Sequence, residues 1–284
     1  MNTERAQSPG VVALLTDFGL ADPYVGQMKA ALLRRVPTAC LVDISHEVPS
    51  FGVAQASFFL ESSRPHFPER TVFLSVVDPC VGGPRRIVCL DAYSQLFLAP
   101  DNGILTLVLD AALAAGVPVR AFDLTPANLD AASRTFHGRD VFAPLAAQLA
   151  AGVVPELLGR QILLEDLTRL DLWRPEFDAS GAGLVRLRVL HVDRFGNCIC
   201  NATGPEWFAK LATWPAVWMH APEVLQLSLV SSYYQLAPRA AGLLIGSQCF
   251  LELALNMASA ADYFHLSPGG EFVIAAAAPG AASV

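Results

Sequence analysis

Short, almost purely apolar runs alternate with amphipathic stretches through the first half of the chain, a pattern that predicts strands followed by helices. VVALLTDF reads as a buried strand, and Asp22-Pro23 then offers an N-cap and a first helical residue for an amphipathic stretch through Arg35. The pattern continues with strand CLVDIS, a helix near Val53 to Ser63, strands TVFLSVVD, RIVCLDA and LFLAP, and a helix after the Asp101-Asn102-Gly103 turn. Residues 143–170 read as alanine- and leucine-rich helix. A sheet covered by helices buries such a set of elements, so an α/β N-terminal domain is expected over residues 8–172. Trp173-Arg174-Pro175-Glu176 to Gly181-Ala182-Gly183 reads as a linker. Beyond it the runs VRLRVLHVD, NCICN, VWMH, VLQLSLV, LLIG, CFLELAL and EFVIAA, with turn residues between them, predict a smaller, mainly β domain over residues 183–278. The AAAAPGAASV tail is expected to be loose.

Composition fits that division. At 284 residues, 53% of them hydrophobic and 16% charged, the chain can bury the cores of two modest domains. A net charge of -7, with Lys29 and Lys210 the only lysines among 19 basic residues, leaves no run able to track a phosphate backbone, and no nucleic-acid partner is expected. The six cysteines lack the paired spacing that binds zinc, so they are expected to be buried thiols in a reducing cytoplasm, with no metal. MNTERAQSPG has no apolar segment typical of a secretory leader. Gly242 to Ala261 is the most membrane-like stretch, but Ser247, Gln248, Glu252 and Asn256 would be costly in lipid, so no membrane association is expected.

Three polar islands then stand out: LLTDFG at 14–19, VVDPCVGGPRR at 76–86 and TFHGRDVFAP at 135–144. Asp78, Arg85 and His137 supply a carboxylate, a guanidinium and an imidazole, groups able to orient a water and take its proton. Spacing alone leaves a second reading open, in which Asp78 caps a turn, Arg85 pairs with a surface acid and His137 is a packed core histidine. Asp17 has two readings as well: a turn cap, or a strand-end acid that accepts both hydroxyls of a ribose. In the second domain, Asp193-Arg194-Phe195-Gly196-Asn197 sets an aromatic ring beside an amide, which suits a flat heterocycle such as a purine; the alternative is a plain turn with Gly196 at positive φ. Leu244 to Ser247 and Leu251 to Asn256, including Glu252, join that constellation. Cys198 and Cys200 share a strand face, where core packing explains them better than a metal.

TDFG, VVDPCVGGPRR, APDNG, TFHGRD, DRFGN, IGS and LELALN occur in an order that resembles the S-adenosyl-L-methionine (SAM) hydroxide adenosyltransferases, relatives of the SAM-dependent fluorinase and chlorinase. The resemblance spans about residues 11 to 262. It implies an α/β domain followed by an all-β, barrel-like domain, in a homotrimer with sites between subunits. It also implies that Asp78, Arg85 and His137 position and activate water, that Asp17 holds the ribose hydroxyls, and that Phe51 lies near the sugar. Asp193 would grip the methionine amino group, with Ser247 near its carboxylate. Phe195 and Asn197 would stack on and read the adenine, and the backbone at Met257 would meet its exocyclic amine. Glu252 is taken with these as a binding residue.

The activity so implied is substitution by water at the ribose C5′ of SAM, giving adenosine and L-methionine, with SAM as substrate and no cofactor. Two departures from the family pattern are expected to matter little. Cys80 stands where glycine is usual, which puts a positive φ in question there, and Met257 replaces a smaller residue. Halogenases replace the Asp and the Arg and insert a loop before the FHGRD region; here both residues stand and the segment is short. A halogenase and a non-catalytic SAM- or adenosine-binding protein are the competing readings.

Overall fold

The computed structural model describes residues 10–126, 134–170, 174–177 and 183–279. They fall into two compact units that divide after Leu170.

The first unit is an α/β layer structure. Its sheet holds β1 (Val11–Thr16), β2 (Cys40–Ser45), β3 (Val72–Val76), β4 (Ile87–Ala92), β5 (Gln95–Pro100), β6 (Arg120–Asp123) and β7 (Arg160–Ile162), in the order β2-β1-β3-β5-β4-β6-β7. β2, β1, β3 and β5 run parallel, and the β4 hairpin and β7 are antiparallel additions. The helices are α1 (Tyr24–Leu33), α2 (Val53–Ser63), α3 (Thr106–Ala114) and α4 (Ala143–Ala150). Val12, Leu14, Val72 and Leu74 point to the face covered by Met28 and Leu32 of α1 and Leu145 and Leu149 of α4. Ala13, Leu15 and Phe73 point to the opposite face, under Ala56 and Leu60 of α2 and Val108 and Leu109 of α3. Because both faces are covered, the parallel strands are apolar at consecutive positions, which is why they were plain in the sequence.

The second unit is a closed barrel. β9 (Val185–Val192), β10 (Cys198–Thr203), β11 (Val217–Ala221), β12 (Leu225–Leu229), β13 (Ala241–Ile245), β14 (Phe250–Leu255) and β15 (Glu271–Ala275) pair in the order β10-β14-β13-β12-β11-β15-β9, and β9 pairs back onto β10. Closure leaves no unpaired edge among these strands. Leu187, Val189, Cys198, Cys200, Leu243, Leu251, Leu253, Phe272 and Ile274 fill the interior, alternating along each strand. The barrel-like expectation is met.

Some local expectations need correction. Pro23, not Asp22, occupies the N-cap of α1, and no side chain caps it. The long helix expected over 143–170 stops at Ala150; Gly152 takes φ +93°, and the chain returns to add β7 to the sheet edge. Part of the expected linker is a strand: β8 (Glu176–Phe177) pairs with β9, and Phe177 stacks on Trp207 at 5.6 Å. Trp173 and residues 178–182 of that linker, residues 1–9 and tail residues 280–284 lie outside the described residues. An unforeseen helix, α5 (Gly204–Leu211), follows β10. Cys89, Cys198 and Cys200 are buried, but Cys40, Cys80 and Cys249 are exposed. Gly242 to Ala261 folds as β13, β14 and the start of the short helix α6 (Ala260–Tyr263), and no helix among the described residues is long and apolar enough to cross a membrane.

Candidate active site

The parallel strands of the first unit deliver their polar residues to one end of the sheet. Asp17 follows β1, His46 follows β2, Asp78 follows β3, and Asp101 and Asn102 follow β5. Carboxyl ends of parallel strands are where open α/β sheets place ligands. Asn102 Nδ2 donates to the Val77 carbonyl at 2.8 Å and so fixes the residue before Asp78.

The loop after Asp78 approaches the His137 segment closely. Gly82 has φ +80°, and a Cβ there would lie 2.5 Å from the Arg134 carbonyl oxygen, so only glycine fits. Cys80 is not among the residues with positive φ, so its replacement of glycine strains nothing. His137 immediately precedes a single π-helical turn, Gly138–Phe142, that leads into α4. Such turns hold one residue more than α-helix requires.

Asp78, Arg85 and His137, separated by 7 and 52 residues along the chain, come together. Arg85 Nε and Nη2 donate to Asp78 Oδ2 at 2.9 and 2.5 Å, and Nη2 also lies 2.9 Å from His137 Nδ1. A guanidinium can only donate, so Nδ1 is the acceptor and the neutral ring carries its proton on Nε2. The Asp78 and Arg85 side chains are 5% and 7% exposed, which makes this a buried ion pair. Asp78 Oδ1 and Arg85 Nη1 are both buried without a hydrogen-bond partner among the described residues. An unmet acceptor and an unmet donor in one ion pair suit a molecule that can donate and accept, as water does. Arg85 and His137 line a cavity of about 500 Å³ together with Gly82, Thr125 and Arg134.

Burial holds the His137 imidazole below its usual range, and the Arg85 charge pushes it the same way; Asp78 and Asp140 pull it up only in part. The ring is therefore neutral near pH 7. On acidification the unfolded chain takes up this proton first, so stability contributed by the neutral ring is present above about pH 6.5 and is lost as pH falls toward the lowered folded value. Turnover is expected to share that acid limb, because a protonated Nδ1 cannot accept from Arg85. A pH profile of kcat checks this, and a midpoint above the usual imidazole value would contradict it.

The other residues singled out in the sequence sort into smaller groups. In the first unit, Asp17 Oδ2 accepts from the Phe51 backbone N–H at 3.0 Å; Phe51 has φ +66°, and its ring is 69% exposed. In the second unit, Asp193 Oδ1 accepts from the N–H groups of Phe195 and Asn197 at 2.8 and 2.9 Å, and Oδ2 accepts from Asn197 Nδ2 at 2.9 Å. Gly196 has φ +83°, and a Cβ there would meet Ser259. The carboxylate thus builds the turn that holds Asn197 buried and leaves the Phe195 ring 78% exposed. Ser247 lies exposed in the β13–β14 turn, and Glu252 reaches the adjacent Gly246, where a Cβ would collide with its carboxylate. Burial raises the Glu252 carboxyl above its usual range, and nearby Asp193 adds to this. Met257, with φ +59°, is exposed beyond β14.

Sequence reasoning missed four contributors. Tyr233 donates its hydroxyl to Glu252 Oε2 at 2.5 Å, Thr125 and Arg134 line the cavity, and Asn102 pins the Asp78 loop. The APDNG turn pointed to Asn102 as a turn residue but not to its partner; nothing local marks the others. Among the described residues no group of three or more His, Cys, Asp or Glu could hold a metal ion.

The SAM hydroxide adenosyltransferase N-terminal domain matches residues 12–159, and the C-terminal domain of the same family matches residues 187–273. The chain belongs to that family. A (R)-S-adenosyl-L-methionine hydrolase of Thermus thermophilus is 42% identical over 200 residues, covering 66% of this chain and 72% of its own. The (R)-S-adenosyl-L-methionine hydrolase of Salinispora arenicola is 37% identical over 271 residues, covering 93% and 97%. The crystal structure of a conserved, uncharacterized protein from Thermotoga maritima matches with a TM-score of 0.81 and 33% identity, covering 93% of this chain and 99% of that one. Proteins named fluorinase also match this family member, at lower identity, 26% for that of Nocardia brasiliensis.

Proposed function

We propose that this enzyme hydrolyses SAM to adenosine and L-methionine by attack of water at the ribose C5′. The observation that carries the mechanism is that this ion pair buries an acceptor, Asp78 Oδ1, and a donor, Arg85 Nη1, neither of which has a hydrogen-bond partner among the described residues. A water between them would donate one hydrogen to Oδ1 and accept from Nη1, which leaves an oxygen lone pair for carbon. The O–C5′ bond forms as the C5′–S bond breaks, and the bonding pair returns to sulfur as a neutral thioether. The water proton passes to Asp78 and from there to solvent. No leaving group needs protonation, so alignment and deprotonation are the main tasks. Holding the oxygen roughly 3 Å from carbon contributes several kcal/mol, and a positioned base contributes about 10²- to 10⁴-fold.

His137 has a narrower role than a free base. Its Nδ1 is occupied by Arg85, so it fixes the guanidinium and presents Nε2–H as a donor. The charges of the Asp78 carboxylate and of the sulfonium are both neutralised in the step, so a site that excludes bulk water favours it. In this reading Asp17 takes the ribose hydroxyls with Phe51 beside the sugar. Asp193, Ser247 and Glu252 serve the methionine end, and Phe195, Asn197 and the Met257 backbone serve the adenine. The reading includes a cytoplasmic homotrimer with sites between subunits, and it requires no cofactor or metal.

Incubation with SAM in oxygen-18 water, with and without chloride, followed by mass spectrometry of the nucleosides, tests the proposal. Adenosine labelled at the 5′ oxygen is the expected product. A chlorinated nucleoside would instead make the protein a halogenase, and tight binding without product would make it a sensor.

A further inference from the structure

We infer that His46 is a positioning residue that clamps the Asp17 turn from both sides, an inference that rests on the reading of Asp17 as the acid for the ribose. β2 runs beside β1, with Leu15 opposite Ser45, so the residue that leaves β2 arrives beside the residues that leave β1. His46 uses this adjacency twice. Its Nδ1 lies 2.8 Å from Thr16 Oγ1, and its carbonyl oxygen accepts from the Gly19 backbone N–H at 2.8 Å. Thr16 and Gly19 bracket Asp17 and Phe18, so one residue holds both ends of the turn. Phe51 N–H holds the Asp17 carboxylate itself.

The direction of the hydrogen bonds follows from the donors. His46 Nε2 faces the Asp43 carboxylate, so the neutral ring carries its hydrogen there, Nδ1 is the acceptor and the Thr16 hydroxyl donates to it, while Thr16 Oγ1 accepts from the Phe18 N–H at 3.3 Å. His46 Nε2 lies 3.1 Å from Asp43 Oδ1 with its N–H off line, which makes the contact electrostatic and not a hydrogen bond. Asp43 is held in turn by Lys29 at 2.6 Å. The order Asp43–His46–Thr16 has the form of a nucleophile-activating triad. Thr16 is 0% exposed and His46 3% exposed, however, so no substrate reaches the hydroxyl, and the array orients backbone.

The test uses the full chain and compares variants that keep or remove the single acceptor at the Nδ1 position. Thr16→Val and His46→Gln remove the Thr16–His46 hydrogen bond, since the glutamine amide reaches the Nε2 position and not Nδ1. Thr16→Ser and His46→Asn keep it. Adenosine Kd by calorimetry, and KM and kcat for SAM, are measured for all four and for Asp17→Ala. Thr16→Val and His46→Gln are expected to raise Kd and KM about tenfold with kcat little changed, while Thr16→Ser and His46→Asn stay near the parent values. Thermal unfolding of the near-isosteric Thr16→Val separates a binding loss from failure to fold. Equal affinities across the four variants, with Asp17→Ala weakened, overturn the clamp alone. An unchanged Kd in Asp17→Ala overturns the ribose reading and the clamp with it.

Discussion

Asparagine in place of Asp78 is expected to lower kcat by about 10²- to 10⁴-fold, the range a positioned general base contributes, while KM for SAM stays near the parent value. Arg85 needs an acceptor where Asp78 Oδ2 now sits, so the amide oxygen of the variant turns toward the guanidinium. The amide nitrogen then takes the place of Oδ1, and a buried acceptor becomes a donor that cannot receive a proton from water. Volume and the hydrogen bond to Arg85 are conserved, so the loss reports the missing carboxylate, as base and as counter-charge, and not a cavity. Steady-state release of adenosine measures it. A variant that retains parental turnover would remove Asp78 from the chemistry.

Arg85→Ala is expected to lose turnover and also about 3–5 kcal/mol of stability, the cost of stripping one partner from a buried ion pair. The Asp78 carboxylate, 5% exposed, would be left with neither its counterion nor its Nε and Nη2 donors. Removing both charges in Asp78→Ala/Arg85→Ala should recover much of the stability, because the penalty belongs to the unpaired charge, but none of the turnover. Denaturant unfolding of the two single variants and the double variant closes the cycle. A loss under about 1 kcal/mol in Arg85→Ala would match a solvent-exposed pair and contradict the burial.

The architecture was legible wherever burial wrote itself into consecutive residues. β1 and β3 are apolar on both faces because α1 and α4 cover one side of the sheet and α2 and α3 the other. In the barrel the alternation of Leu187 and Val189, or of Leu251 and Leu253, marks a single filled interior. Legibility failed where composition and conformation part: the alanine-rich stretch after α4 breaks at Gly152 despite its helix-forming residues, and GPEWFAKL makes a helix among strands. Cysteine burial could not be read from spacing, since Cys40, Cys80 and Cys249 lie on turns and edges. Within the site, Asp78, Arg85 and His137 were legible as a set only through the order of motifs. Their contact depends on β3 ending and β4 beginning at the same end of the sheet, on either side of β5, and on the return of the chain before α4. Tyr233 and His46 carried no such signal, because each acts through partners distant along the chain.

The π turn at Gly138–Phe142 makes the spacing of this segment as consequential as its side chains. Removing any one of its residues would let the segment relax into ordinary α-helix and swing His137 by about 100° around the axis of α4. The imidazole would then face away from Arg85 even with every catalytic side chain retained. A single-codon deletion here is thus a knockout that no inventory of residue types would reveal.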